Sequence, residues 1–199
     1  TIKELRVLAI PGTSTTLNAL LLDTRFQFTE VLCLLWLRDA HLCHYLENWQ
    51  PNSQQPTITS YLFAFSVFNR WNAREGFYLA DVRTKTTTQN TPESEVDSAF
   101  IQRLKDTFVS VLEAFMHGIV TAAQSPSDVP ELLVLRNEGA VSPRDRDTRI
   151  LVSVSNLSHL RSHLIGAWSK QFEDAYHVSL ATEQQRLLGL CAQLDAALL

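Results

Sequence analysis

Three side chains able to ligate a metal fall at three-residue steps, His41, His44 and Glu47, with Cys43 between them and Cys33 upstream. On a helix this spacing puts two imidazoles and a carboxylate on one face. Zinc needs about four nitrogen, sulfur or oxygen donors in a tetrahedron, so a further ligand must come from elsewhere in the chain. No second cluster supplies it. The plainer reading is a polar stripe capping a buried helix, and neither metal nor cofactor is expected. The remaining histidines, His117, His159, His163 and His177, stand singly or on helix faces and read as packing or solvent residues.

Nucleophilic chemistry fares no better. Serine, histidine and aspartate all occur, but there is no Gly-x-Ser-x-Gly elbow, no glycine-rich phosphate loop and no Cys-x-x-Cys. The six glycines are dispersed; Gly118, Gly166 and Gly189 fall inside helical segments, where each costs about 1 kcal/mol relative to alanine, and they point to close helix approaches. Asn156-Leu157-Ser158 matches a glycosylation acceptor but lies in an amphipathic helical segment, and reads as a chance match. Phe65, Phe68 and Trp71, with Phe77 beyond them, form an aromatic stripe that is either a candidate partner surface or core. Core is favoured, because aromatic rings at helical spacing bury large areas in ordinary bundles. An enzyme is not expected.

The elements that carry these residues are helices. All seven prolines fall between hydrophobic stretches, and a proline inside a helix removes a donor and clashes with the preceding turn. Residues 2–10 suit a strand or a helix end, closed by Pro11-Gly12. Residues 16–49 predict one long helix or two, apolar on much of the circumference, hence a central helix buried from several sides. A polar gap at 50–55 precedes a second, aromatic helical segment at 57–82, and a threonine-rich connector follows at 83–90. Thr91-Pro92 with Glu93, Glu95 and Asp97 predicts a helix start. The helix behind it has the clearest period of the chain: Val96, Phe100, Leu104, Phe108, Val111, Phe115 and Ile119. Residues 125–130 and 136–146 read as loops around a short apolar run at 132–135.

Ile150, Leu151, Val154, Leu157, Leu160, Leu164, Ile165, Trp168 and Phe172 then recur at helical spacing, although 150–154 alone alternates like a strand. The last helix is expected to start near Thr182, where Thr182 and Gln185 resemble a capping box. The expected fold is all-α, an elongated stack of antiparallel helical bundles, with residues 1–90 forming one segment and 91–199 another that continues the same rod. An α/β enzyme with strands at 5–10, 132–135 and 150–154 is the least favoured alternative, lacking glycine-rich turns.

At 199 residues and 45% hydrophobic content the chain can bury a sizeable core. Charged residues are only 19%, which hints at apolar surface covered by neighbouring segments or partner subunits. With net charge −4 and scattered basic residues there is no footprint for nucleic acid or for an anionic membrane. The longest apolar run, around 31–37, is far short of the roughly 20 residues of a membrane span, so no membrane insertion is expected. Three cysteines without paired short spacing suit reduced thiols and a cytosolic setting. A start at Thr1 and an end in apparent mid-helix at 196–199 set the expectation of a fragment of a longer protein.

Residues 147–161, Asp-Thr-Arg-Ile-Leu-Val-Ser-Val-Ser-Asn-Leu-Ser-His-Leu-Arg, resemble the arginine, aliphatic run, serine and asparagine pattern of exocyst complex component two. Residues 171–176 and 194–198 are similar to the fungal-type members of that family. The resemblance covers 147–199 and, more loosely, the helix 92–123; the first ninety residues carry no such match. It implies a piece of the C-terminal rod of a cytosolic, peripheral subunit that tethers secretory vesicles to the plasma membrane before fusion. Other exocyst subunits are the implied partners, with a small GTPase engaged through other parts of the full protein. Competing readings are a subunit of a different tethering complex, and a helical adaptor that binds a peptide or a small GTPase on the aromatic surface of Phe65, Phe68, Trp71 and Phe77.

Overall fold

The computed structural model describes residues 13–80, 98–125 and 146–199. Its helices are α1 (Thr13–Leu42), which runs into a 3-10 turn at Cys43–Leu46, α2 (Ser60–Ala80), α3 (Ser98–Gln124), α4 (Arg146–His159), α5 (Ile165–Tyr176) and α6 (Ala181–Leu198). A π-helical turn, Leu160–Leu164, joins α4 to α5 without a break. The fold is all-α; the β pairing among the described residues is one isolated bridge, Pro51 to Thr59, in the loop before α2. The expected helix start at Thr91-Pro92, the connector 83–90 and the runs 2–10 and 132–135 lie outside the described residues.

Contacts between side chains set the direction of each helix. Phe26 meets Phe100 and Trp36 meets Phe108, so α1 and α3 run parallel. Phe65 stacks on Phe115 while Gly76 abuts Leu104, so α2 runs against α3. Arg149 reaches Ala123 and Phe172 lies on Phe108, so α4 and α5 also oppose α3. The pairs Lys105 with Glu183 and Glu113 with Arg186 align α6 with α3. Successive passes therefore alternate up and down.

The centre belongs to α3, not to α1 as the all-round apolar character of α1 suggested. Phe100, Leu104, Phe108, Val111, Phe115 and Ile119 are all buried, and between Thr107 and Ile119 the only exposed position is His117. Helix α1 buries a single stripe, Thr29, Cys33, Trp36 and Ala40. Since complete burial of one such large side chain stabilises by about 1.5–3 kcal/mol, α3 contributes more hydrophobic stabilisation than any other helix.

The helical period of 150–172 prevails over the strand-like alternation of 150–154, because that stretch lies inside α4. The π turn explains how the helix keeps its face. Arg149, Ser153, Asn156 and Leu160 are buried before it, Ile165, Trp168, Phe172 and Tyr176 after it, and the five-residue step from Leu160 to Ile165 is one π turn. Without the extra residue the later aromatic rings would rotate off the core.

The capping box is also corrected. Helix α6 begins at Ala181, one residue before Thr182; Leu180 donates its N–H to Glu173 Oε1 and Ala181 donates to Ser179 Oγ at 3.3 Å. The cap thus comes from the preceding helix and turn. Of the three glycines expected at close approaches, Gly118 is one, since a Cβ there would meet His44 Cβ at 3.2 Å. Gly166 has only an ordinary contact, and a Cβ on Gly189 would meet nothing within 4 Å. The tightest approach is at Gly76, where a Cβ would fall 2.7 Å from Leu104 Cδ2.

Candidate functional site

Because α1 ends at Leu42, the three-residue spacing of His41, His44 and Glu47 does not make a face. His41 is exposed, and His44 sits in the 3-10 turn with Nδ1 2.8 Å from the His41 carbonyl. Glu47 lies beyond the turn in extended backbone. Its carboxylate accepts the Trp49 N–H at 2.7 Å and the Thr59 hydroxyl at 3.0 Å, and burial pushes its pKa up to about 7. Among the described residues no group of three or more His, Cys, Asp or Glu is placed to hold a metal ion. The three thiols are free; Cys33 and Cys191 are buried, and Cys43 lies 3.2 Å from the Tyr61 hydroxyl. Burial raises all three thiols, Cys43 and Cys191 to about 11, which removes the thiolate that nucleophilic chemistry requires.

The polar residues of the 147–161 pattern join elements together. Arg149 donates from Nε to the Ala123 carbonyl at 3.3 Å, satisfying the C-terminal end of α3. Asn156, completely buried, accepts the Thr59 N–H and donates to the Thr59 hydroxyl, both at 3.0 Å, and Ser155 donates to the Thr57 carbonyl at 2.8 Å. A chain thus runs from Glu47 through Thr59 to Asn156, tying the loop before α2 to α4. A glycan on Asn156 is incompatible with this burial.

The aromatic stripe of α2 divides. Phe65 is core: it stacks on Phe115 with centroids 3.5 Å apart and meets Trp168 edge-on. Phe68 is half-buried beside it, and Phe77, also half-buried, packs edge-on against Tyr176 at 5.7 Å. Trp71 is 58% exposed.

A larger apolar surface lies on the outside of α1. Leu21, Phe28, Val31, Leu35 and Leu42, with the polar Thr24 and Arg38 filling two further positions, fall in steps of three and four, the spacing of a coiled-coil seam. They face away from the Cys33, Trp36 and Ala40 stripe, and Phe28 is 60% and Val31 53% exposed. Leu34 and Leu20, both exposed, widen the face. At its end a cleft of about 650 Å³ opens between α1, the 3-10 turn and α2, lined by Leu42, Leu46, Ala64 and Phe68 among others. No helix among the described residues is long and apolar enough to cross a membrane.

The family model of exocyst complex component Sec5 matches residues 1–199, the whole chain. The chain belongs to the Sec5 family. Sec5 proteins are structural subunits of the exocyst, a vesicle-tethering complex whose other subunits are their partners, and they are not a family of enzymes. The Sec5 match also spans the first ninety residues, where the sequence pattern alone showed no resemblance. No curated protein and no solved structure matches the chain.

Proposed function

We propose that the chain is a helical segment of the C-terminal rod of a fungal-type exocyst component two, and that the outer face of α1 is where a helix of a neighbouring exocyst subunit docks. The observation that carries this reading is that Phe28, Val31, Leu35 and Leu42, all exposed and apolar, fall at seam spacing on one face of α1. Segments 1–90 and 91–199 continue one rod, their helices sharing the core around Phe115. Phe68, in the cleft beside the seam, and Trp71, on the outer surface of α2, serve the same docking role. The work of such a segment is mechanical: its stiffness holds other subunits, and through them vesicle and plasma membrane, at a set separation. The protein sits in the cytoplasm and reaches secretion sites peripherally, and a small GTPase engages other parts of the full protein.

The test is affinity purification of the full-length parent protein from its native cytosol, with and without Val31→Glu and Leu35→Glu together. The expected result is recovery of the other exocyst subunits with the unaltered protein and loss of at least one with the variant. Undiminished recovery with the variant would remove the docking role from this face. Absence of exocyst subunits from both purifications would sink the tether reading itself.

A further inference from the structure

A second cleft, of about 260 Å³, lies between α2 and α5 over the α3 ring of Phe108. Its walls are aromatic, with Phe77, Trp168, Phe172 and Tyr176 around it. Its rim carries Arg70 and Arg74, one turn apart on α2 and both exposed, while among the described residues no carboxylate lines it. Arg70 pairs with nothing among the described residues, and Arg74 engages only the Tyr78 hydroxyl, at 3.1 Å, and its ring. In a chain of net charge −4 this is a local concentration of positive charge.

We infer that this cleft binds an acidic peptide segment of a partner protein that inserts one aromatic side chain between α2 and α5. The ring packs among Trp168, Phe172 and Phe77, and flanking carboxylates pair with Arg70 and Arg74. Guanidinium groups suit this role because their planar donors bind a carboxylate through two parallel hydrogen bonds. The site is separate from the outer face of α1 and stands whether or not a subunit docks there.

The probe is a synthetic peptide, acetyl-Asp-Glu-Phe-Glu-Asp-amide, titrated into the whole chain while the indole N–H signals of its four tryptophans are followed by NMR. Saturable movement of the Trp168 signal is expected, with Arg70→Glu and Arg74→Glu each weakening binding about tenfold or more. Ala73→Leu, which fills the cleft wall, is expected to abolish it; should that variant fail to fold, the two exposed arginine substitutions decide. The proposal is overturned if a peptide with alanine in place of phenylalanine moves Trp168 equally, or if folded Ala73→Leu still binds. It is overturned as well if phosphatidylserine vesicles move Trp168 while the peptide does not, which would make the cleft a membrane-facing surface.

Discussion

Helices α1 and α3 are nearly matched in length, 30 and 27 residues, and both are rich in leucine, valine and phenylalanine. They differ in how those residues are spread. In α3 they recur on one steady stripe, and the bundle then covers the rest of the circumference through its middle. In α1 they surround the axis, yet among its described side chains only Thr29, Cys33, Trp36 and Ala40 are fully covered. Apolar content therefore does not locate the centre of this bundle. A regular stripe marks a helix folded against its own chain, while the surplus outside the stripe is what the proposed docking reading rests on.

Removing the centre is expected to have the largest effect. Phe115→Ala deletes a completely buried ring stacked on Phe65 and should lower unfolding free energy by about 3–5 kcal/mol in urea titration. A small loss would break the contrast by showing that α3 is no better supported than α1.

Next comes the polar tie at the foot of α1. Glu47 has its folded-state pKa at about 7, above the ordinary carboxylate value of about 4.3. Between those values the folded chain holds more protons than the unfolded one, so stability falls as pH rises through that window. The expected fall is about 3 kcal/mol, measured as the difference in unfolding free energy from urea titration between about pH 4.5 and pH 8, and Glu47→Gln should remove this contribution. An unchanged slope in the variant would show that Glu47 is not the titrating group.

The glycines sharpen the comparison further. Gly76→Ala pushes a methyl group into Leu104 and should destabilise by about 1 kcal/mol or more. Gly189→Ala, with open space around it, should stabilise by about 0.5–1 kcal/mol, both read from thermal unfolding. Least of all should the outer face of α1 matter to folding: Leu34→Gln is expected to change stability by no more than about 0.5 kcal/mol. A loss of several kcal/mol in the isolated chain would mean that this face is already covered.

The helices were legible where the apolar period was clean. The stripe from Phe100 to Ile119 identifies its own buried residues, and α4 and α5 follow from a pattern that runs from Ile150 to Phe172. The π turn was hidden because Leu164 and Ile165 are both apolar, and nothing in their types says which one turns inward. The end of α1 was hidden because no proline or glycine stands near Leu42, so Glu47 looked like a neighbour of His44 on one face. The outer face of α1 was unreadable for a related reason, since identical residue types line its covered and uncovered sides. One signal went unused: Arg149, Ser153 and Asn156 lie in phase with Leu160, and polar residues on an apolar stripe announce hydrogen bonds across the core. The α2–α5 cleft draws its residues from three helices far apart in sequence, so its assembly depends on the fold.

The alternation of directions has a consequence for load. The described helices make an odd number of passes, α1, α2, α3, the joined α4 and α5, and α6, so the start of α1 and the end of α6 lie at opposite poles of the bundle. A pull applied between those poles acts along the helix axes and must slide whole interfaces past one another, breaking many contacts at once. With an even number of passes the poles would coincide and the same pull would peel helices apart one turn at a time. A pull between opposite poles would load the bundle in shear, and many contacts would have to break together before it yields.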